Sequence, residues 1–196
     1  EPLLTDLNAA QSQVQRILNG PVILTAPGFE PWIIESKTLA SWLILRPVET
    51  EDGKTTLSVS LDPGHTSRLA EEIATQVARP PVDAQFRFDD ASGRLTTVVE
   101  SVPGRALDVS ATVALIEQAA GNSERTVTLP LVEIRPALAS EDGPALGIVE
   151  LIAKGQTNFG GSSRSRIQNI VVGAAQFDGL LIAPGETFSF NHYLGE

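Results

Sequence analysis

The sequence predicts an α+β fold: short helices packed on antiparallel hairpins, followed by a small helix-plus-strands segment. Three observations predict it. Apolar residues recur at helical spacing in several separate windows. Short alternating runs flank Gly- and Asp-containing turn signals, as hairpins require. The order of these windows lacks the regular strand–helix–strand alternation of a doubly wound sheet.

Residues 7–18 place Leu7, Ala10, Val14, Ile17 and Leu18 at helical spacing, and Asn19-Gly20 is a stop signal. Val22-Ile23-Leu24 and Trp32-Ile33-Ile34 read as short strands separated by Pro27-Gly28, and Ser36 opens a short helix containing Leu39, Ala40 and Trp42. Glu51-Asp52-Gly53-Lys54 reads as a turn, followed by a strand over 55–61. Over 66–78, Leu69, Ala70, Ile73, Ala74 and Val77 share a helical face, and Pro80-Pro81 ends the helix. Strands 84–88 and 95–99 form a hairpin about Asp90-Ala91-Ser92-Gly93. Asp108 caps a helix over 109–120, and Gly121-Asn122 stops it. A strand over 126–134 follows, with Pro130 marking an edge or bulge. Residues 136–145 read as a linker. Beyond them come strands at 146–153, 180–182 and 187–190 around a helix over 164–177.

Composition narrows the function. The 196 residues carry 24 acids against 14 bases, a net charge of −10. That argues against nucleic acid, whose phosphates require a basic face, and against simple electrostatic adhesion to anionic lipid. The absence of cysteine removes thiolate metal sites and cysteine nucleophiles within these residues. Two histidines far apart, His65 and His192, do not suggest a metal centre, so neither metal nor cofactor is expected. No run of about 18 apolar residues is present to span a membrane, and no signal peptide is visible. The chain opens on Glu1 rather than Met and stops just after a strand-like run, so it is expected to be a processed or engineered piece, either cut within a domain or ending in a very short terminal element. Residues 1–146 hold 20 acids and 11 bases, whereas residues 147–196 hold 4 and 3. This shift places a domain boundary near 140–150, giving domains over 1–145 and 146–196.

The second domain carries a family likeness. Thr157-Asn158-Phe159, Ser162-Ser163, Arg166-Ile167, Asn169-Ile170, Ala174-Ala175 and Asp178-Gly179, then Pro184-Gly185-Glu186-Thr187-Phe188-Ser189-Phe190-Asn191 with Gly195, resemble the start of the VanW domain of vancomycin-resistance-like proteins. Ala84-Gln85-Phe86 after a helix, and Pro103-Gly104-Arg105-Ala106-Leu107-Asp108 opening another, make the first 145 residues resemble the peptidoglycan-binding domain that commonly precedes a VanW domain. A related domain precedes the catalytic domain of some L,D-transpeptidases. The resemblance implies an extracytoplasmic protein, secreted or membrane-anchored, whose partner is peptidoglycan or its stem peptides. The VanW family ordinarily continues past Gly195 with a Gly-Gly-Val-Cys-Gln motif, which these residues lack.

The candidate ligand site is Gly160-Gly161-Ser162-Ser163-Arg164-Ser165-Arg166 at a helix start, with Asn169 one turn on. Helix N–H groups, two hydroxyls and a guanidinium suit a carboxylate or phosphate. The alternative is that Ser162 or Ser163 is an ordinary cap and the arginines are solvated or paired with acids. Glu186 and His192, with Asn191, form a possible acid/base pair sharing one strand face; the alternative has Glu186 closing the Pro-Gly turn. Trp32, Trp42 and Tyr193 can stack on a sugar or lie in the core. His65 is expected to cap a helix or stay in solvent. Glu49–Asp52 and Asp89-Asp90 read as solvated turns. No nucleophile is placed by the sequence. The function expected is therefore a non-enzymatic cell-envelope module that binds peptidoglycan. The alternatives are a cell-wall-modifying enzyme using Glu186 and His192, and a structural interaction domain of the envelope.

Overall fold

The computed structural model describes residues 4–49 and 55–195. The expected turn at 51–54 lies outside the described residues. The chain forms two compact units, one from residues 1–79 and 105–133 and the other from residues 80–104 and 134–196.

The first unit is built on a three-stranded sheet. Strand β1 (Val22–Thr25) lies at its centre, antiparallel to β2 (Trp32–Ile34) with Val22 opposite Ile34. On its other side β1 runs parallel to β8 (Thr126–Thr128), with Leu24 opposite Val127. The long strand expected over 126–134 is divided at Leu129-Pro130: β8 joins β1, and β9 (Leu131–Ile134) pairs instead with β7 (Gly104–Leu107). Pro130 has no N–H to continue a ladder, and its carbonyl accepts from Asp108 N at 2.9 Å.

Three long or medium helices cover this sheet's core. Helix α1 (Leu4–Leu18) buries Ala10 and Ile17, while Leu7 remains 45% exposed. Helix α3 (Pro63–Val77) begins earlier than its apolar face. Asp62 is the cap, accepting from Gly64 N at 2.8 Å, and Pro63 supplies a preset φ at the first turn. Helix α4 (Val109–Gly121) is capped as expected, with Asp108 Oδ1 accepting from Ala111 N at 2.9 Å. Ile73, Val77 and Ile116 are fully buried with Leu24 and Leu39. Each such side chain contributes roughly 1.5–3 kcal/mol relative to exposure. Two buried threonines add no polar penalty, since Thr66 Oγ1 donates to Pro63 O and Thr112 Oγ1 to Asp108 O within their own helices.

Helix α2 (Ser36–Ser41) is short and buries Leu39; Glu35 precedes it without a side-chain cap bond. The hairpin of β3 (Leu43–Glu49) and β4 (Thr55–Leu61) pairs Leu43 with Leu61 and Glu49 with Thr55. Only its root, Val59 and Leu61, is buried in the core.

The second unit contains the other expected hairpin, β5 (Gln85–Asp89) and β6 (Arg94–Val99), with a bulge at Gln85/Phe86. Its turn is organised by Asp89, which accepts from Ser92 Oγ and from Ala91 N, and these bonds, the Ser92 one foremost, hold the carboxyl below its ordinary pKa. Gly93 supplies the left-handed residue.

Residues 136–145 are not a free linker. Ser140–Leu146 forms a 3₁₀ segment. Ser101 and Ser140 bond reciprocally, each hydroxyl accepting the other's backbone N–H at 2.8–3.0 Å. Leu138 N donates to Asp83, and Asp142 accepts from Ala139 N and from Arg135.

The strands expected in the terminal segment are a correction. Residues 146–153, 180–182 and 187–190 form no sheet pairs, and the ordered elements there are α5 (Arg164–Ala175) and α6 (Phe190–Leu194). An apolar run becomes a strand only when a neighbour takes its ladder bonds, and these runs have no such neighbour among the described residues. The α+β class stands; the small terminal piece is helical rather than helix-plus-strands.

Candidate functional site

The segment expected to hold an anion folds as a plain helix start. Ser163 is the N-cap of α5, its Oγ accepting from Arg166 N at 3.4 Å and lying 3.1 Å from Ser165 Oγ. Ser162 N donates to Phe159 O, closing the preceding turn, and Gly161 takes the left-handed conformation. Arg164, Arg166 and Asn169 are exposed, and neither guanidinium has an acid partner among the described residues. The capping alternative thus describes Ser163, while the arginines lie in solvent.

Glu186 and His192 do not share a strand face. Glu186 closes the Pro184-Gly185 turn: its N donates to Ala183 O at 3.0 Å, and its carboxylate accepts from Ala183 N at 2.9 Å. His192 lies in α6, whose cap Ser189 accepts from His192 N at 3.4 Å. Its ring stands 5.1 Å edge-on to Tyr193. Tyr193 in turn stacks on Phe188 at 5.5 Å, and Phe190 on Phe177 at 4.9 Å, so the terminal aromatics pack on one another. No group of three or more His, Asp or Glu residues suited to a metal occurs among the described residues.

The first unit assembles a different cluster. Phe29, just before β2, and Trp32, its first residue, are half-buried, with ring centroids 5.7 Å apart. Trp32 Nε1 donates to Gln76 Oε1 at 3.0 Å, tying the ring to the end of α3. Arg105, in β7, lies over the Phe29 ring with Cζ 4.9 Å from its centroid, a cation–π contact. Its Nε donates to Val77 O at 2.8 Å, the last turn of α3. Arg79 stands directly opposite Arg105, and the two exchange both backbone bonds at 3.0 and 2.8 Å. Trp42, the other candidate ring, is also half-buried and stacks on His65 at 5.8 Å, with His65 Nδ1 3.4 Å from Asp62.

Residues 35–128, just under half of the chain, match the model of the family described as "Putative peptidoglycan binding domain". No curated protein matches the chain. A solved structure, "Structure of the Ldtfm-avibactam carbamoyl enzyme", is similar over 68% of this chain at 18% identity and a TM-score of 0.44. The chain spans about half the length of that protein, covering 48% of it.

The matched span includes Gln76, Arg79 and Arg105; Phe29 and Trp32 lie just before it. Trp32 was legible as an aromatic of interest. Arg105 was visible only as part of the Pro103–Asp108 motif, because nothing in the sequence says that this arginine crosses to a ring 76 positions earlier. None of the described helices is long and apolar enough to cross a membrane.

Proposed function

We propose that the chain is a non-enzymatic module of the cell envelope that binds peptidoglycan. The observation that carries this reading is the family match over residues 35–128. It coincides with the sequence likeness seen at Ala84-Gln85-Phe86 and Pro103–Asp108. The helical terminal segment, with its Ser162–Asn169 and Pro184–Asn191 motifs, is read as the opening of a VanW-like domain over 146–196. On this reading the protein works outside the cytoplasm and belongs to cell-wall biology, with glycopeptide resistance as one setting. The geometry of Glu186, engaged by its own turn, offers no support for the acid/base alternative.

The test is sedimentation of the folded chain with purified peptidoglycan, intact or stripped of stem peptides. Co-sedimentation with the intact polymer supports the reading, and the stripped polymer separates glycan from peptide recognition. Release of muropeptides, abolished by Glu186→Gln or His192→Ala, would instead establish the enzyme.

A further inference from the structure

We propose that the cleft between α4 and the open edge of β8 receives an N-acetylated sugar of the glycan strand. This rests on the peptidoglycan reading and names the part of the polymer that is recognised.

The register of the first unit's sheet leaves that edge free. Strand β8 is the outermost of its three strands, with β1 on one side only. Ile23 N donates to Arg125 O, and Leu129 N to Thr25 O, both at 2.8 Å. Residues 125, 127 and 129 thus bond toward β1. Successive residues of a strand bond to alternate sides, so the N–H and C=O of Thr126 and Thr128 turn outward. Both threonines are exposed, and no described residue takes these four groups. Unpaired peptide groups on a strand edge are ready to bond another amide.

Beside this edge lies a cleft of about 310 Å³, at the low end of small-ligand sites. Half-buried Leu115 and buried Ala119 and Val127 give it apolar lining. Gln118, Asn122 and Glu124 stand exposed around it, and no described residue bonds their side chains. The lining holds one carboxylate and no cation, which suits a neutral ligand rather than an anion.

An acetamido group carries one N–H, one C=O and a methyl. The first two match the outward peptide groups of Thr126 and Thr128, and the methyl matches the apolar lining. Sugar hydroxyls can donate to Glu124 and bond the amides of Gln118 and Asn122. With two outward residues in a strand of three, β8 is short for strand addition by a peptide. All of these residues lie within the span that matches the peptidoglycan-binding family.

The test titrates the whole chain with N-acetylchitotetraose and with cellotetraose, which has hydroxyls in place of the acetamido groups. Backbone amide resonances report the site, and the same preparation is sedimented with peptidoglycan, intact or stripped of stem peptides. The acetylated sugar is expected to bind about tenfold or more tightly than cellotetraose, and to shift the Thr126 and Thr128 amides. Gln118→Ala with Asn122→Ala is expected to weaken it about tenfold. Thr128→Pro removes an outward N–H and no ladder bond, and is expected to abolish the preference for the acetylated sugar. Circular dichroism checks that each variant is folded.

Equal affinity of the unaltered protein for the two sugars, or unmoved Thr126 and Thr128 amides, overturns the proposal, whatever the variants do. If the intact polymer is still bound in that case, peptidoglycan recognition stands and lies elsewhere; binding of the intact but not the stripped polymer assigns it to the stem peptide. Acetyl-dependent binding at Thr126 and Thr128 without sedimentation on either polymer upholds the sugar site and removes the wall reading. Failure of both assays overturns both.

Discussion

Arg125 reaches Ile17 across more than a hundred positions of sequence, its Nη2 donating to the Ile17 carbonyl at 2.8 Å. The same guanidinium also donates to Arg16 O, Gly20 O, Pro21 O and Ala120 O, between 2.7 and 3.1 Å. The last carbonyls of a helix lack intrahelical donors, and α1 and α4 both end here. One cation therefore satisfies both helix ends and complements both dipoles. Its removal from water lowers the guanidinium pKa, although arginine remains charged at any working pH.

Arg125→Ala is expected to destabilise the chain by about 3 kcal/mol, because it removes several charge-assisted bonds at once. Arg125→Lys should recover only part of this, since an ammonium cannot supply the same planar set of donors. Urea unfolding followed by circular dichroism checks both, the alanine variant showing the lower midpoint.

Phe86 is the packing centre of the second unit, 3% exposed, and two glycines make room for it. A Cβ on Gly143 would come within 2.8 Å of the Phe86 ring. A Cβ on Gly179 would meet Gln85 Cβ at 2.9 Å and Phe86 O at 3.0 Å, on a backbone with φ +78. Gly143→Ala is expected to cost about 1–3 kcal/mol by overpacking. Gly179→Ala should cost more, about 2–4 kcal/mol, because left-handed backbone strain adds to a clash with Gln85 Cβ and the Phe86 backbone, neither of which can swing away as a side-chain end can. Thermal melts of the two variants should fall in that order.

Acid should loosen the 3₁₀ segment. Asp142 lies below its ordinary value of 3.8, chiefly through its bond with Arg135 and also through Ala139 N. A carboxyl lowered in the folded state contributes stability that is present above the unfolded value. That stability is lost as pH falls through about 4 toward the lowered folded value. Hydrogen exchange at Ala139 should therefore quicken as pH drops below about 4, relative to the intrinsic rate, and Asp142→Asn should remove the pH dependence.

The helices were legible where one segment carried both its periodicity and its cap, as Asp108 does for α4. The start of α3 was displaced because its cap, Asp62, and Pro63 precede the apolar face that the period detects. Strand β3 was not foreseen, since most of it is exposed and its pattern gains meaning only from pairing with β4. The terminal strands failed for the complementary reason: Phe188 and Phe190 find one another's neighbours, Tyr193 and Phe177, rather than a sheet edge. At the candidate site, Ser163 was readable as a cap from local sequence alone. The convergence of Phe29, Trp32, Gln76 and Arg105 was not, because it depends on strand and helix positions set by the whole first unit.

The most direct measurement of the central claim is co-sedimentation of the folded chain with purified intact peptidoglycan at low and at moderate salt. A net charge of −10 leaves little for exposed basic residues to contribute, so binding that is not mainly electrostatic is only weakly screened by salt. The account predicts that the chain sediments with the polymer and remains there when salt is raised. A folded chain that stays in the supernatant at both salt levels would contradict it.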